Sequence, residues 1–469
     1  MDPYLTIKEG QLFDPENSKN TARRLSTIGA YKFVNVQYKE VDSLSTDSLG
    51  FLKANITLSP LNKRAFRAEL QAVTKSNNFA GPGLAVTYSN RNLFKGGEIL
   101  SLTSSLGYEV QAGSGDQAGL SSIELGLKTE LVFPRLVFPL KVNTDFFKYA
   151  IPKTKTGLGI NYLSRSKLYS LATGTVKFGY IWNSSKYITH EINPISINYT
   201  RLGNTTDEFD EILNENPFLR RSFEQQFIAG LTYSFTHNGM LSTKRKHQFF
   251  VNATVDIAGN TVSALGGSNQ NDSGRNQFLG LEYAQYAKVD ADVRYHWNFG
   301  NQEKLAVRLF GGYGYAYGNS EVLPFTKQFF SGGPYSVRAF RIRSLGPGSY
   351  NNEGNVNGSF FDQTGNIRLE ANLEYRFPIV GFFKGAVFAD AGNIWNSIEN
   401  ESLPGGKFSS NFISELGIGS GVGLRVDVQG FVVRFDLAIP VHDPSQPQGE
   451  RFQVKFDQPL LNFAIGYPF

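Results

Sequence analysis

Asn366-Ile367-Arg368-Leu369-Glu370-Ala371-Asn372-Leu373-Glu374-Tyr375-Arg376-Phe377 alternates polar and apolar residues without a break. A strand sends successive side chains to opposite faces, so Asn366, Arg368, Glu370, Asn372, Glu374 and Arg376 share one face and the apolar residues share the other. The pattern recurs. Val289, Ala291, Val293, Tyr295 and Trp297 oppose Lys288, Asp290, Asp292, Arg294 and His296. Leu416, Ile418, Val422, Leu424 and Val426 oppose Glu415, Arg425, Asp427 and a run of glycines, and Phe431, Val433, Phe435, Leu437 and Ile439 oppose Arg434 and Asp436. In a soluble sandwich the polar face of many of these strands would be wet and the apolar face covered by a second sheet. Burying charges on so many strands would be costly, and no blade-length repeat marks a propeller. The alternation predicts a closed antiparallel β-barrel whose apolar face touches lipid and whose polar face lines a wet lumen.

Composition agrees with an all-β membrane protein. The 469 residues include 48 Gly, 22 Tyr and 39 Phe, suited to tight turns, strands and interfacial aromatic girdles. No uninterrupted apolar stretch approaches the ~18 residues a membrane-spanning helix needs, which does not bear on a barrel that buries alternate residues. With no cysteine there are no disulfides, thiolate metal sites or cysteine nucleophiles. The net charge of +5 is modest and dispersed, without the basic and aromatic interleaving of a nucleic-acid surface. The N-terminus lacks the apolar core of a signal peptide although a barrel of this kind must be exported. The chain is therefore expected to be the C-terminal piece of a longer precursor.

Residues 1–62 read differently from the rest. Pro15 opens a predicted helix running to about Ile28, with Gly29 as its stop. Phe33, Val34, Val36 and Tyr38 predict a strand, residues 41–48 a loop, and Leu52, Ala54, Ile56 and Leu58 a second strand. This is part of a small α+β domain bounded by Pro60. Residues 63–469 hold about sixteen predicted strands, the first over 65–76 and the last over 460–469. The final run Leu461, Phe463, Ile465, Tyr467 and Phe469 alternates to a terminal aromatic.

One connection, about 319–362, is too long for an ordinary turn and rich in residues that need burial, a combination that marks functional loops. It contains Phe329-Phe330-Ser331-Gly332-Gly333-Pro334, Ser336-Val337-Arg338-Ala339-Phe340 and Arg341-Ile342-Arg343-Ser344-Leu345-Gly346-Pro347-Gly348. Arg338, set between Val337 and Phe340, reads as a tip anchored inside the lumen, where an arginine would seek carboxylates with bidentate geometry.

These residues carry a family resemblance. Val337-Arg338-Ala339-Phe340 resembles the sixth-loop motif of the BamA/TamA superfamily of outer-membrane assembly factors, with Ala339 where that pattern usually has Gly. Asn372-Leu373-Glu374-Tyr375-Arg376-Phe377-Pro378 resembles the family's twelfth strand, and Phe388-Ala389-Asp390-Ala391-Gly392-Asn393-Ile394-Trp395 its thirteenth. Asn90–Glu98 resembles an early-strand motif, the helix and two strands of residues 1–62 resemble the second half of a periplasmic POTRA domain, and the last residues (Phe463, Ile465, Tyr467, Phe469) resemble the assembly signature of outer-membrane barrels. The Arg-Ser-Leu-Gly-Pro-Gly continuation is most similar to the TamL lipoprotein branch, with BamA second. The resemblance implies that the loop folds back into the lumen and that Arg338 pairs with Asp390 and Glu374. It also implies a place in the outer membrane of a Gram-negative bacterium, among lipid and lipopolysaccharide, with unfolded outer-membrane proteins as clients and a TamB-like periplasmic partner. No cofactor is implied.

Three function classes follow. The first is an assembly or translocation module that opens sideways where the first strand meets the last, exposes strand edges and templates client strands without nucleotide. Pro468 lacks an N–H and would weaken that seam. The second is a passive porin or secretion channel. The third, a barrel enzyme, finds little support: His190, His237, His247, His296 and His442 show no metal-site spacing, no G-x-S-x-G elbow is present, and Arg338 would hold Glu374 and Asp390 ionised rather than leave one as a general acid.

Overall fold

The computed structural model describes residues 4–41, 50–74, 79–111, 121–137, 147, 149–215, 220, 226–242, 245–265, 269–270, 274–278, 280–300, 302–351, 363–428, 431–454, 456 and 459–469. The loop expected over 41–48, residues 75–76 of the first predicted barrel strand and the last part of the long loop, 352–362, lie outside these described residues.

Helix α1 (Pro15–Ser26) starts where Asp14 accepts a hydrogen bond from the Glu16 N–H and Pro15 presets the first helical turn. It ends before Gly29, whose φ of +77° no branched residue adopts easily. Strands β1 (Tyr31–Glu40) and β2 (Leu52–Pro60) form a two-stranded antiparallel sheet packed on α1.

The remaining chain forms one sixteen-stranded antiparallel sheet. Its first nine strands are β3 (Arg64–Thr74), β4 (Phe79–Arg91), β5 (Ile99–Gln111), β6 (Ser121–Phe133), β7 (Lys153–Arg165), β8 (Tyr169–Asn183), β9 (Ile188–Gly203), β10 (Gln226–Asn238) and β11 (His247–Ala258). A small sheet of β12 (Asn269–Gln270), β13 (Asn276–Phe278) and β14 (Leu281–Glu282) interrupts the next connection. The barrel resumes with β15 (Tyr286–Asn298), β16 (Lys304–Ala316), β17 (Ile367–Val380), β18 (Phe383–Trp395), β19 (Gly417–Val428), β20 (Phe431–His442) and β21 (Leu460–Ile465). Every strand pairs with its sequence neighbour in the barrel. The chain enters from β2 at the same end of the barrel where β21 finishes, here termed the near end.

The alternation resolves as a lipid face and a lumen face. On β17, Leu373 is exposed while Glu370, Asn372, Glu374 and Arg376 are buried. Phe66, Leu70, Ile160 and Val422 likewise stand exposed on the outer surface, which in water would be untenable and in lipid is what a barrel requires. Along β5–β9 the lumen wall is polar and encloses a cavity of about 420 Å³ that Thr103, Lys128, Lys177 and Asn193 help line. Along β15–β21 the lumen is filled by the long loop.

The two end strands differ. β3 runs for eleven residues and β21 for six, and among the described residues no ladder joins them. β21 pairs with β20 from Val433 to Ala438, and among the described residues Ile439–His442 have no partner on that side. The last strand is shorter than the sequence predicts. Leu461, Phe463 and Ile465 face outward, but Gly466 adopts a φ of +89° and the alternation stops there. Tyr467 donates to Asp427 (3.0 Å), and Phe469 is buried beside Arg376, whose guanidinium lies 4.4 Å from the Tyr467 ring and 5.6 Å from the Phe469 ring. The cations of the lumen draw the final aromatics inward, so the alternating signature does not continue to the terminal residue. Pro468 therefore lies beyond the ladder rather than in it.

A buried arginine network as the candidate functional site

Two glycine columns make room for the long loop. A Cβ at Gly312 of β16 would meet the Phe329 ring at 2.4 Å, and one at Gly314 would meet Leu323 at 2.4 Å. Three strands further along the same wall, a Cβ at Gly417 of β19 would meet Leu345 at 2.6 Å, and one at Gly419 would meet the Ala339 Cβ at 2.2 Å. Gly312, Gly314, Gly417 and Gly419 are thus the footprint of the loop. Ala339, one methyl larger than glycine, fits because Gly419 stands opposite.

Between these columns the loop delivers Arg338 into a fully buried site. Its Nε donates to Asp390 Oδ2 (2.8 Å) and its Nη2 to Asp390 Oδ1 (2.9 Å), a bidentate fork on β18. Nη1 donates to Glu374 Oε2 on β17 (2.5 Å), and the guanidinium lies 3.4 Å from the centre of the Phe388 ring. The main chain is held too: the Arg338 N–H donates to Asp390 (3.1 Å) and its carbonyl accepts from Asn462 of β21 (2.8 Å). Val337 is fully buried, and Ala339 packs with Phe388 and Ala438, with Phe340 against them.

Further charges complete the network. Glu374 also accepts from Arg425 (3.0 Å) and Arg376 (2.7 Å), while Asp436 accepts from Arg425 (2.5 Å) and Arg434 (2.8 Å). Arg376 reaches the Phe469 main-chain oxygen (2.9 Å). Asn372 bridges Asp390 (3.0 Å) to the Ser336 carbonyl (3.0 Å), and Ser336 Oγ donates to Glu370 (2.8 Å), which accepts from Arg308 (2.8 Å). Each carboxylate in this chain faces at least one guanidinium and works as a fixed anchor for the loop.

The structure brings Arg338, Glu374 and Asp390 together, with Val337, Ala339 and Phe340 around them, and places Phe463 and Ile465 apart on the lipid face. Arg376, Arg425, Arg434 and Asp436 belong to the same cluster although the sequence reading gave them only a lumen face. Their parity on the strands was visible, but their meeting depends on the register of β17 against β18 and β19 against β20. Asn462 was missed outright, because a lone asparagine between apolar residues carries no signal of its partner.

An Omp85 superfamily domain model matches residues 83–458. The chain belongs to the Omp85 superfamily. Over 214 residues it is 25% identical to outer membrane protein assembly factor BamA of Neisseria meningitidis serogroup B, a match covering 41% of this chain and 26% of that protein. The match thus spans about a quarter of that relative's length. Among solved structures, BamA from Haemophilus ducreyi lacking POTRA domains 1–3 is similar with a TM-score of 0.63 at 14% identity, covering 98% of this chain and 80% of that one. CdiB from Acinetobacter baumannii gives 0.55 at 13% identity, covering 98% and 70%. At these identities the two likenesses speak for the fold alone, a β-barrel.

Proposed function

We propose that this Omp85 barrel is the membrane part of an outer-membrane protein assembly or translocation factor that opens sideways between β3 and β21. The observation that carries the reading is the mismatched seam: an eleven-residue edge opposite a six-residue edge, with no ladder between them among the described residues. Free N–H and C=O groups on such edges are a template for an incoming strand, and main-chain pairing gives affinity without strict sequence demand. Client folding supplies the driving force, so no nucleotide is needed. The likeness to the Neisseria assembly factor supports clients that are themselves outer-membrane proteins.

In this reading residues 1–62 act as the end of a periplasmic POTRA domain, and the near end of the barrel faces the periplasm. Lipid covers the apolar face, with lipopolysaccharide on the outer side. The Arg343–Gly348 continuation of the loop supports the TamL branch, and with it a TamB-like partner.

The test is a cysteine scan pairing positions 64–74 with 460–465 in cells. Oxidised pairs should block client assembly and reduction should restore it. Unimpaired assembly with a fully cross-linked seam would remove lateral opening. The polar cavity along β5–β9 favours a second reading, a passive channel, which predicts a large steady conductance with the loop intact.

A further inference from the structure

Around the near end, the lipid face of β8–β11 and β15 carries a run of stacked aromatic rings. Trp182 stacks on His190 (centroids 4.9 Å apart, planes 9° apart), and the His190 Nδ1 lies 2.9 Å from the Tyr233 hydroxyl. His247 stacks on Tyr295 (6.0 Å) and Trp297 (6.2 Å). Aromatic residues with a polar edge collect where hydrocarbon gives way to headgroups, so this run fixes the depth of the membrane boundary.

Two turns stand just beyond it, Ser184–Tyr187 between β8 and β9 and, between β10 and β11, one whose described residues are 239–242 and 245–246. They are tied together by the Asn238 N–H donating to the Tyr187 carbonyl (2.7 Å). Lys186 comes from one turn and Arg245 from the other, yet both lie over the same ring: Lys186 Nζ is 5.6 Å and Arg245 Cζ 5.3 Å from the Tyr187 centroid. Lys246 follows and is exposed. Neither turn contains an Asp or Glu. Lys384 and Lys327 have carboxylate partners, Asp427 and Asp256, whereas among the described residues Lys186, Arg245 and Lys246 form no ion pair. The single-turn segment Gly239–Leu241 of the same connection leaves Leu241 59% exposed.

Unpaired cations above an aromatic belt, with an exposed apolar side chain in the same connection, match one kind of occupant: a phosphodiester headgroup whose acyl chains continue down the barrel wall. We propose that this rim binds an anionic phospholipid of the surrounding bilayer, its phosphate held by Lys186, Arg245 and Lys246 over Tyr187. Only the choice of leaflet, the periplasmic one, rests on the orientation proposed above. The site itself rests on the lipid-facing belt. A neutral headgroup brings no net charge for the cations, and a soluble phosphate leaves Leu241 and the belt unused.

The test uses the whole chain in nanodiscs of equimolar phosphatidylglycerol and phosphatidylcholine, with retained lipids counted by native mass spectrometry. Wild type should retain phosphatidylglycerol over phosphatidylcholine by about fivefold or more, the Boltzmann equivalent of one basic residue near an anionic surface. The variant Lys186→Gln/Arg245→Gln/Lys246→Gln should fall back to the bulk ratio, while Lys186→Arg/Lys246→Arg keeps the enrichment. Excess soluble glycerophosphoglycerol should leave the ratio unchanged. Equal ratios in wild type and the triple Gln variant, or loss of enrichment to the soluble headgroup, would overturn the proposal. No client enters this measurement, so its outcome is independent of whether the seam opens.

Discussion

Arg338 and Asp390 are joined three times over: two guanidinium nitrogens and the Arg338 main-chain N–H all donate to the same carboxylate. The loop and the wall of the barrel are thereby fixed in both side chain and main chain, in a place with no access to solvent. Removing Arg338 leaves the Asp390 charge uncompensated, and removing Asp390 leaves the buried guanidinium only Glu374 and, at 3.6 Å, Asp436 to offset it.

Asp390→Asn or Arg338→Gln should therefore each destabilise the barrel by about 3–5 kcal/mol. Arg338→Glu and Asp390→Arg should each impair assembly in cells, and the double exchange should recover part of the loss. Thermal melting of the purified barrel and cell viability read the two effects. Indifference to all of these changes would make Arg338 a solvated lumen residue.

Glu374 gathers Arg338, Arg376 and Arg425 on one carboxylate. Glu374→Gln leaves three guanidiniums short of charge, so it should cost at least as much as Asp390→Asn. The comparison is made by denaturant or thermal unfolding in the same detergent.

Gly419→Ala places a methyl where the Ala339 Cβ already sits and should displace the loop. The exchange Gly419→Ala/Ala339→Gly restores the room and should recover most of the loss. Protease cleavage within residues 329–348 is the readout: it should rise in the single variant and fall again in the double.

Tyr335 donates to the Ile465 carbonyl (2.6 Å), and Asn462 donates to the Arg338 carbonyl, so the loop holds β21 directly. Tyr335→Phe should cost about 0.5–1.5 kcal/mol, with the change concentrated in β21. Hydrogen exchange should accelerate in residues 460–465 and not in β3.

Glu98 sits in the near-end turn between β4 and β5, fully buried, accepting from the Gly96 N–H (2.9 Å) and paired with Arg135 (2.7 Å). Burial pushes its carboxyl up, but the main-chain N–H groups and Arg135 outweigh burial and hold it below the usual carboxylate range. A depressed folded-state pKa adds stability that is present above the unfolded value of about 4.3 and is lost as pH falls through the folded value. The melting difference between wild type and Glu98→Gln should thus be constant near neutral pH and shrink only in acid. A difference that fades between pH ~8 and ~6 would contradict this assignment.

The alternation of residues 366–377 was enough to read both faces of β17, because a period of two survives any error in strand ends. The lumen position of Glu374 followed from the same parity. The glycines of β19 were visible as a pattern but not as a footprint, since nothing local says which distant loop needs the space. The end of β21 was misread for a related reason. Tyr467 and Phe469 keep the alternation in sequence, and only Gly466 with Arg376 waiting in the lumen turns them away from lipid. The helix Asp207–Glu215 in the β9–β10 connection, packed on Tyr169 through Phe209, also went unpredicted. It is one short amphipathic segment among strand signals.

The loop's glycine-lined bed lies along β16–β19, with side-chain ties to β11, β17, β18 and β21. The wall from β5 to β9 faces the polar cavity instead. The barrel is therefore mechanically lopsided: one half is braced from within like a filled tube, and the other is a thin shell that bends at lower cost. The seam falls where these halves meet, with β21 on the braced side and β3 on the compliant side. Any widening of the barrel is then borne mainly by β3 and its neighbours, while β21 stays at the fixed post to which the loop ties it.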